Sequence, residues 1–215
     1  ASSASLTAAA AEIEDARHPH VRQDMPQPRR YYLEIFLISF AALLLEISYT
    51  RLISFKLFYY YTYLIIGFAL LGIGSGGVFV AMSKRLRRID TDRLLAGSCI
   101  AGAIAVAAGY WVITKTTINT RAIWSGEHVL GNLGRLLLIC LALFSTFIAV
   151  GIMVAALFSR KSESINRLYF ADLLGAGAAC ALVVPALKLL SPPGAIALGG
   201  LVLAMAGLGP AARTS

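Results

Sequence analysis

Charged side chains are scarce: Asp, Glu, Lys and Arg make up 14% of the sequence, against roughly 25% in an average soluble domain. With 58% hydrophobic residues over 215 positions and a mean hydropathy of +0.75, the chain is too short of polar surface for a soluble fold. Cysteine is also scarce. Cys99, Cys140 and Cys180 each lie in a separate apolar run, and an odd, scattered set excludes a disulfide framework. They read as small apolar packing residues. With no CxxC and no His/Cys cluster, no metal site is expected; His18 and His20 flank Pro19 without further ligands, and His128 is a loop residue. No Ser/His/Asp set, HExxH, Walker loop or catalytic carboxylate pair is present, so no catalytic residue and no cofactor is assigned. A short apolar leader with a small-residue cleavage site is likewise not recognisable.

What the sequence does have is long apolar runs. Six can be measured against the roughly 20 residues that a membrane helix needs. They cover about 31–53, 58–82, 94–114, 132–158, 167–190 and 193–209. The last is the shortest and rich in Gly and Ala. The expected fold is all-α: an integral membrane bundle of about six transmembrane helices. Residues 1–29 form a polar tail, with room for a short helix over Leu6–Ala16; 30–210 form the six-span domain; 211–215 form a short C-terminal tail.

The formal net charge of +8 raises the question of nucleic acid, which the distribution of charge answers in the negative. The basic residues sit in short segments between apolar runs, where they act as topology signals and contacts to anionic headgroups. With both termini inside, thirteen of the nineteen Lys and Arg residues fall on the cytoplasmic side and six outside. That asymmetry predicts an N-in/C-in, multi-pass protein of a bacterial inner membrane. Tyr59, Tyr60, Tyr61, Tyr63, Trp111 and Trp124 fall near the predicted outer interface, where amphipathic rings anchor spans. The segment 115–131 is the sizeable external loop.

Four charges draw attention within or beside the spans. Glu46 lies well inside the first, where an ionised group costs roughly 2.5–3.5 kcal/mol on insertion scales unless it is paired or hydrated. Arg51 is five residues away, which is not an ideal helical pairing distance, so Arg135 in the fourth span is the expected partner. Asp172 lies about a turn inside the fifth span, near a helix N-terminus that favours a carboxylate. All four are candidate structural ion-pair members, and the carboxylates Glu46 and Asp172 are candidate ligands for a cation. The run GIGSGG over 72–77 superficially suggests a nucleotide loop, but it lacks the strand-turn-helix context that phosphate binding needs. Gly67, Gly72, Gly74, Gly76, Gly77, Gly175 and Gly177 read instead as helix-packing positions. Pro185 is a candidate kink, and Ser191-Pro192-Pro193-Gly194 a tight outer turn.

Two stretches, FLISFAALLLEISYTRLISFKLFYYYTYLIIGFALLGIGSGGVFVA (36–81) and INRLYFADLLGAGAACALVVPALKLLSPPGAIAL (165–198), cover a little over a third of the chain. Together they resemble the membrane-embedded part of bacterial spermidine synthase-like (polyamine aminopropyltransferase-like) proteins. The resemblance is carried by Glu46 and Arg51 in a Glu-x-x-x-x-Arg pattern, by Gly72, Gly74 and Gly76, and by Tyr169, Asp172, Gly175 and Ala176. It implies a link to polyamine chemistry. Members of that family usually continue into a soluble Rossmann-like domain that binds decarboxylated S-adenosylmethionine, and this sequence carries no such segment. The expectation is therefore a membrane domain without the catalytic part, serving as an accessory or scaffold subunit of a larger membrane complex. The expected partners are the lipid bilayer and other membrane protein subunits. One alternative is a transporter or binding protein for a small cation such as a polyamine, using Glu46 and Asp172. A second is the membrane half of a split aminopropyltransferase.

Overall fold

A computed structural model describes residues 28–57, 62–116, 129–160 and 165–214. Outside them lie nearly all of the N-terminal tail with His18 and His20, the aromatics Tyr59, Tyr60, Tyr61 and Trp124, and most of the external loop. The described residues form helices and no strands: α1 (Pro28–Leu57), α2 (Thr62–Met82), a short α3 (Lys84–Arg88), α4 (Thr91–Lys115), α5 (Val129–Arg160) and α6 (Ile165–Thr214). All but α3 are long and apolar enough to cross a membrane.

At 50 residues, α6 would reach about 75 Å if straight, well over twice the ~30 Å hydrocarbon layer. It does not run straight. Ser191 has a non-helical backbone (φ 58°, ψ 167°) immediately before Pro192-Pro193-Gly194. On one side of this break Asp172 meets Ser39 of α1, and on the other Arg213 meets Glu34 of the same helix. Ser39 and Glu34 are little more than one turn apart, so α6 must fold back on itself at Ser191. Its two arms, 165–190 and 192–214, supply the fifth and sixth spans. The backbone stays helical through Pro185, and the break falls at Ser191, in the Ser-Pro-Pro-Gly segment where the sequence suggests a turn. The second arm runs on to Thr214, through residues that the sequence suggested were a tail.

The helix directions follow from the contacts. Tyr49 bonds the carbonyl of Val106, and Lys56 bonds that of Ile113, both 57 positions along, so α1 and α4 run parallel and in register. Gly72 lies against Phe147 and Gly76 against Ile148 and Ile152, so α2 and α5 also run parallel to each other. Near the Glu34 end the core is built from Ile35, Ile38, Leu95, Met153, Leu168 and Leu203. Near the Lys56 end it contains Tyr49, Ile53, Ile65, Ile113, Leu143, Phe147 and Ile196. The first arm of α6 lies along α1 through Leu44, Ala179 and Val183.

Glycine makes the α2–α5 seam. A Cβ on Gly76 would stand 2.5 Å from the Ile148 carbonyl oxygen and 2.7 Å from the Ile152 nitrogen, and a Cβ on Gly151 would collide with the Ile73 backbone. Small residues allow backbones to approach this closely, and in lipid van der Waals contact between helices is a main source of association. The outward faces carry large apolar side chains instead, among them Leu70, Leu137, Leu173 and Leu208. A bundle that is apolar both inside and out fits a bilayer rather than water. The architecture is that of a multi-pass helical membrane protein.

Candidate functional site

Glu46 occupies the middle of α1 and is half-buried. Among the described residues no hydrogen bond or ion pair reaches it. Its place on the helix explains this. Tyr49, whose hydroxyl reaches Val106 of α4, and Ile53, on one side, share a core cluster with Ile65 and Ala69 of α2. Leu43 and Ile47, on the other, pack toward the first arm of α6 with Ala179 and Val183. Glu46 projects between these rows, and α2 and α6 share no substantial contact that would close the gap.

The expected pairing with Arg135 is not made. Arg51 and Arg135 are both exposed; Arg135 has an interaction of its own, and neither guanidinium reaches Glu46. The five-residue offset turns Arg51 away from Glu46, well round the helix from it. Lys188 is exposed near the Ser191 turn.

Asp172 has a partner that the sequence reading did not foresee: the Ser39 hydroxyl donates a hydrogen bond to its carboxylate. Ser39 and Glu46 are seven residues apart, two turns of one helix face, which is about 10 Å along the axis. Two carboxylates, one held by a hydroxyl and one without a partner, therefore follow one side of α1.

A second polar group closes the Glu34 end of the bundle. Arg213, from the second arm of α6, pairs with Glu34 of α1, and its Nη1 donates to Asp92 of α4 at 2.9 Å. The Tyr31 hydroxyl donates to the same Asp92 oxygen at 3.2 Å, and the guanidinium lies 4.9 Å from the Tyr31 ring centroid. Glu34 is only 4% exposed, so its charge depends on partners within the protein, this cation among them. Tyr31, Asp90, Asp92, Arg93 and Arg213 line a cavity of about 410 Å³ beside the cluster. Sequence reasoning missed Glu34, Asp92 and Arg213 as a unit because they come from three segments, each close to a span boundary where charge is common. The available signal was Glu34 itself, a carboxylate three residues into an otherwise apolar run.

The expected packing glycines divide into two sets. Gly72, Gly76 and Gly175 lie directly against other helices, Gly175 on the Phe36 backbone. Gly67, Gly74, Gly77 and Gly177 face open space, with no atom within 4 Å of a Cβ placed on them. They make no helix contact inside this chain. Tyr63 and Trp111 are exposed at the Lys56 end of the bundle. Among the described residues no group of His, Cys, Asp and Glu side chains could hold a metal ion. The thiols are free; Cys99 lies against the Met153 sulfur at 3.2 Å.

Compared with family models, curated proteins and solved structures, the chain matches none.

Proposed function

We propose that this chain is the membrane domain of an assembly in a bacterial inner membrane, of the spermidine synthase-like kind that its sequence resembles, and that it acts as an accessory or scaffold subunit. The observation that carries this reading is Glu46. A carboxylate at membrane depth is retained where something pairs with it, and polar side chains between membrane helices act as glue. Glu46 lies on the side of α1 between α2 and α6, which share no substantial contact. A partner helix bearing Arg, Lys, His or a hydroxyl would both cover the seam and satisfy the acid.

The test is recovery of the complex from gently solubilised native membranes, with wild type and Glu46→Leu as bait. A stoichiometric membrane partner that is retained by wild type and lost from Glu46→Leu supports the reading. A wild-type chain that runs alone on blue-native gels, or a partner that ignores the substitution, overturns it.

A second reading draws on Asp172. Asp172 of α6 meets α1 at Ser39, two turns or about 10 Å along the axis from Glu46, and two carboxylates on one side of α1 suit a small organic cation with more than one positive charge, such as a polyamine. Spermidine binding to the purified chain that falls on Glu46→Gln would favour this reading; unchanged binding would remove it.

A further inference from the structure

A second feature, on the outer side of α2 beside its seam with α5, is independent of Glu46. Here α2 carries an open groove of about 750 Å³ that runs from Leu70 to Ser83. Its walls are Leu71, Val78, Met82 and Ile148 of α5, and its floor is bared at Gly74. The groove is almost wholly apolar for about 20 Å of helix, somewhat more than the ~15 Å depth of one leaflet's hydrocarbon. Its size lies within the range of small-ligand clefts.

The chemistry changes abruptly at one end. Ser83 lines the groove and also caps α3, its hydroxyl accepting from the Leu86 amide at 3.5 Å. The next residues are Lys84-Arg85-Leu86-Arg87-Arg88. Lys84, Arg85 and Arg88 are exposed, and no carboxylate among the described residues pairs with any of them. An apolar channel one leaflet deep thus ends in a cluster of free cations at headgroup level, on the side that the basic segments mark as cytoplasmic. Clusters of Lys and Arg at this position attract anionic lipid, and the channel supplies the complementary site for its tail.

We propose that this groove is a binding site for one anionic phospholipid. An acyl chain lies along Leu71, Gly74 and Val78, and the phosphate is held by Lys84, Arg85 and Arg88. Gly74 admits the chain to the helix backbone. A neutral headgroup would fill the channel but leave the cations without a counter-charge.

The experiment is native mass spectrometry of the delipidated full chain titrated with phosphatidylglycerol or phosphatidylcholine of the same acyl length. Wild type is expected to retain a single phosphatidylglycerol at concentrations where phosphatidylcholine is lost. Replacing Lys84, Arg85 and Arg88 together by Gln should abolish that preference, a loss of roughly tenfold or more. Gly74→Leu should reduce phosphatidylglycerol retention with the basic helix intact, whereas Gly177→Leu, at an equally open glycine on α6, should not. Equal retention of the two lipids by wild type overturns the proposal. So does a phosphatidylglycerol preference that survives Gly74→Leu, which would reduce the effect to surface charge. Loss of a protein partner from Gly74→Leu with lipid retention unchanged would assign the groove to a helix instead.

Discussion

The Ser39 hydroxyl of α1 donates a hydrogen bond to the carboxylate of Asp172 on α6, 133 residues away in sequence. Glu46, two turns along the same face of α1, has no such bond. The two carboxylates therefore respond oppositely to removal. Asp172→Leu strips Ser39 of its acceptor and should cost about 1–3 kcal/mol in a reversible unfolding assay in detergent. Glu46→Leu removes an acid that no hydrogen bond or ion pair among the described residues satisfies, and should be neutral or stabilising by up to about 1 kcal/mol. Equal losses from both variants would mean that Glu46 has a partner within the chain.

The Arg213 cluster gives a sharper contrast. Arg213→Met takes this cation from the buried Glu34 and should cost about 3–5 kcal/mol. Adding Glu34→Leu to it should recover part of that loss, because a buried pair replaced by apolar groups is frequently tolerated. Thermal unfolding of the two single variants and the double variant completes the cycle. Simple additivity would show that Arg213 and Glu34 are not coupled.

The two glycine faces of α2 should also separate. Gly76→Ala drives a methyl group against the Ile148 and Ile152 backbone. It should destabilise by about 1–3 kcal/mol, as overpacking does. Gly74→Ala meets nothing within 4 Å and should be neutral or stabilising by up to about 1 kcal/mol through helix propensity. Resistance to unfolding in graded SDS would rank them, and the reverse ranking would place the α2–α5 seam on the wrong face.

Ser191 holds a backbone conformation that side chains other than glycine rarely adopt. Ser191→Gly should relieve it, raising stability by about 1 kcal/mol, while Ser191→Val should lower stability by a similar amount or more. If both were silent in a thermal melt, the turn would not be held in this conformation.

Orientation is testable with two exposed lysines that flank opposite ends of the bundle. In a background with Cys180 replaced by Ala, Lys188→Cys should react with a membrane-impermeant maleimide on intact cells. Lys84→Cys should react only after permeabilisation. The opposite pattern would invert the positive-inside assignment.

Six spans were legible in the sequence because the physics of spanning is one-dimensional: length and hydropathy suffice. The break at Ser191 was legible too, since Ser-Pro-Pro-Gly marks a turn. Pro185 sits within helical backbone, and it is Ser191 that departs from it. The charges were harder. Glu46 stands out by depth, but its surroundings depend on which helices flank α1, and no local pattern encodes that. The pairing of Glu34, Asp92 and Arg213 depends on three helix ends meeting, as does the choice of Ser39 by Asp172. The glycines show the same limit: composition marked Gly72, Gly74 and Gly76 alike, and only the position of α5 distinguishes the packed pair from the open one.

The ion pair between Arg213 and Glu34 also has a bearing on synthesis. Glu34 emerges in the first span, and Arg213 follows only after 178 further residues have been made and the second arm of α6 has turned back. Until then Glu34 lacks this cation, and the second arm of α6 is not yet tied to α1 and α4 at that end. Its closure is a late event that coincides with completion of the bundle, so a nascent chain stopped before Arg213 would lack the contact that joins the last arm to the first span.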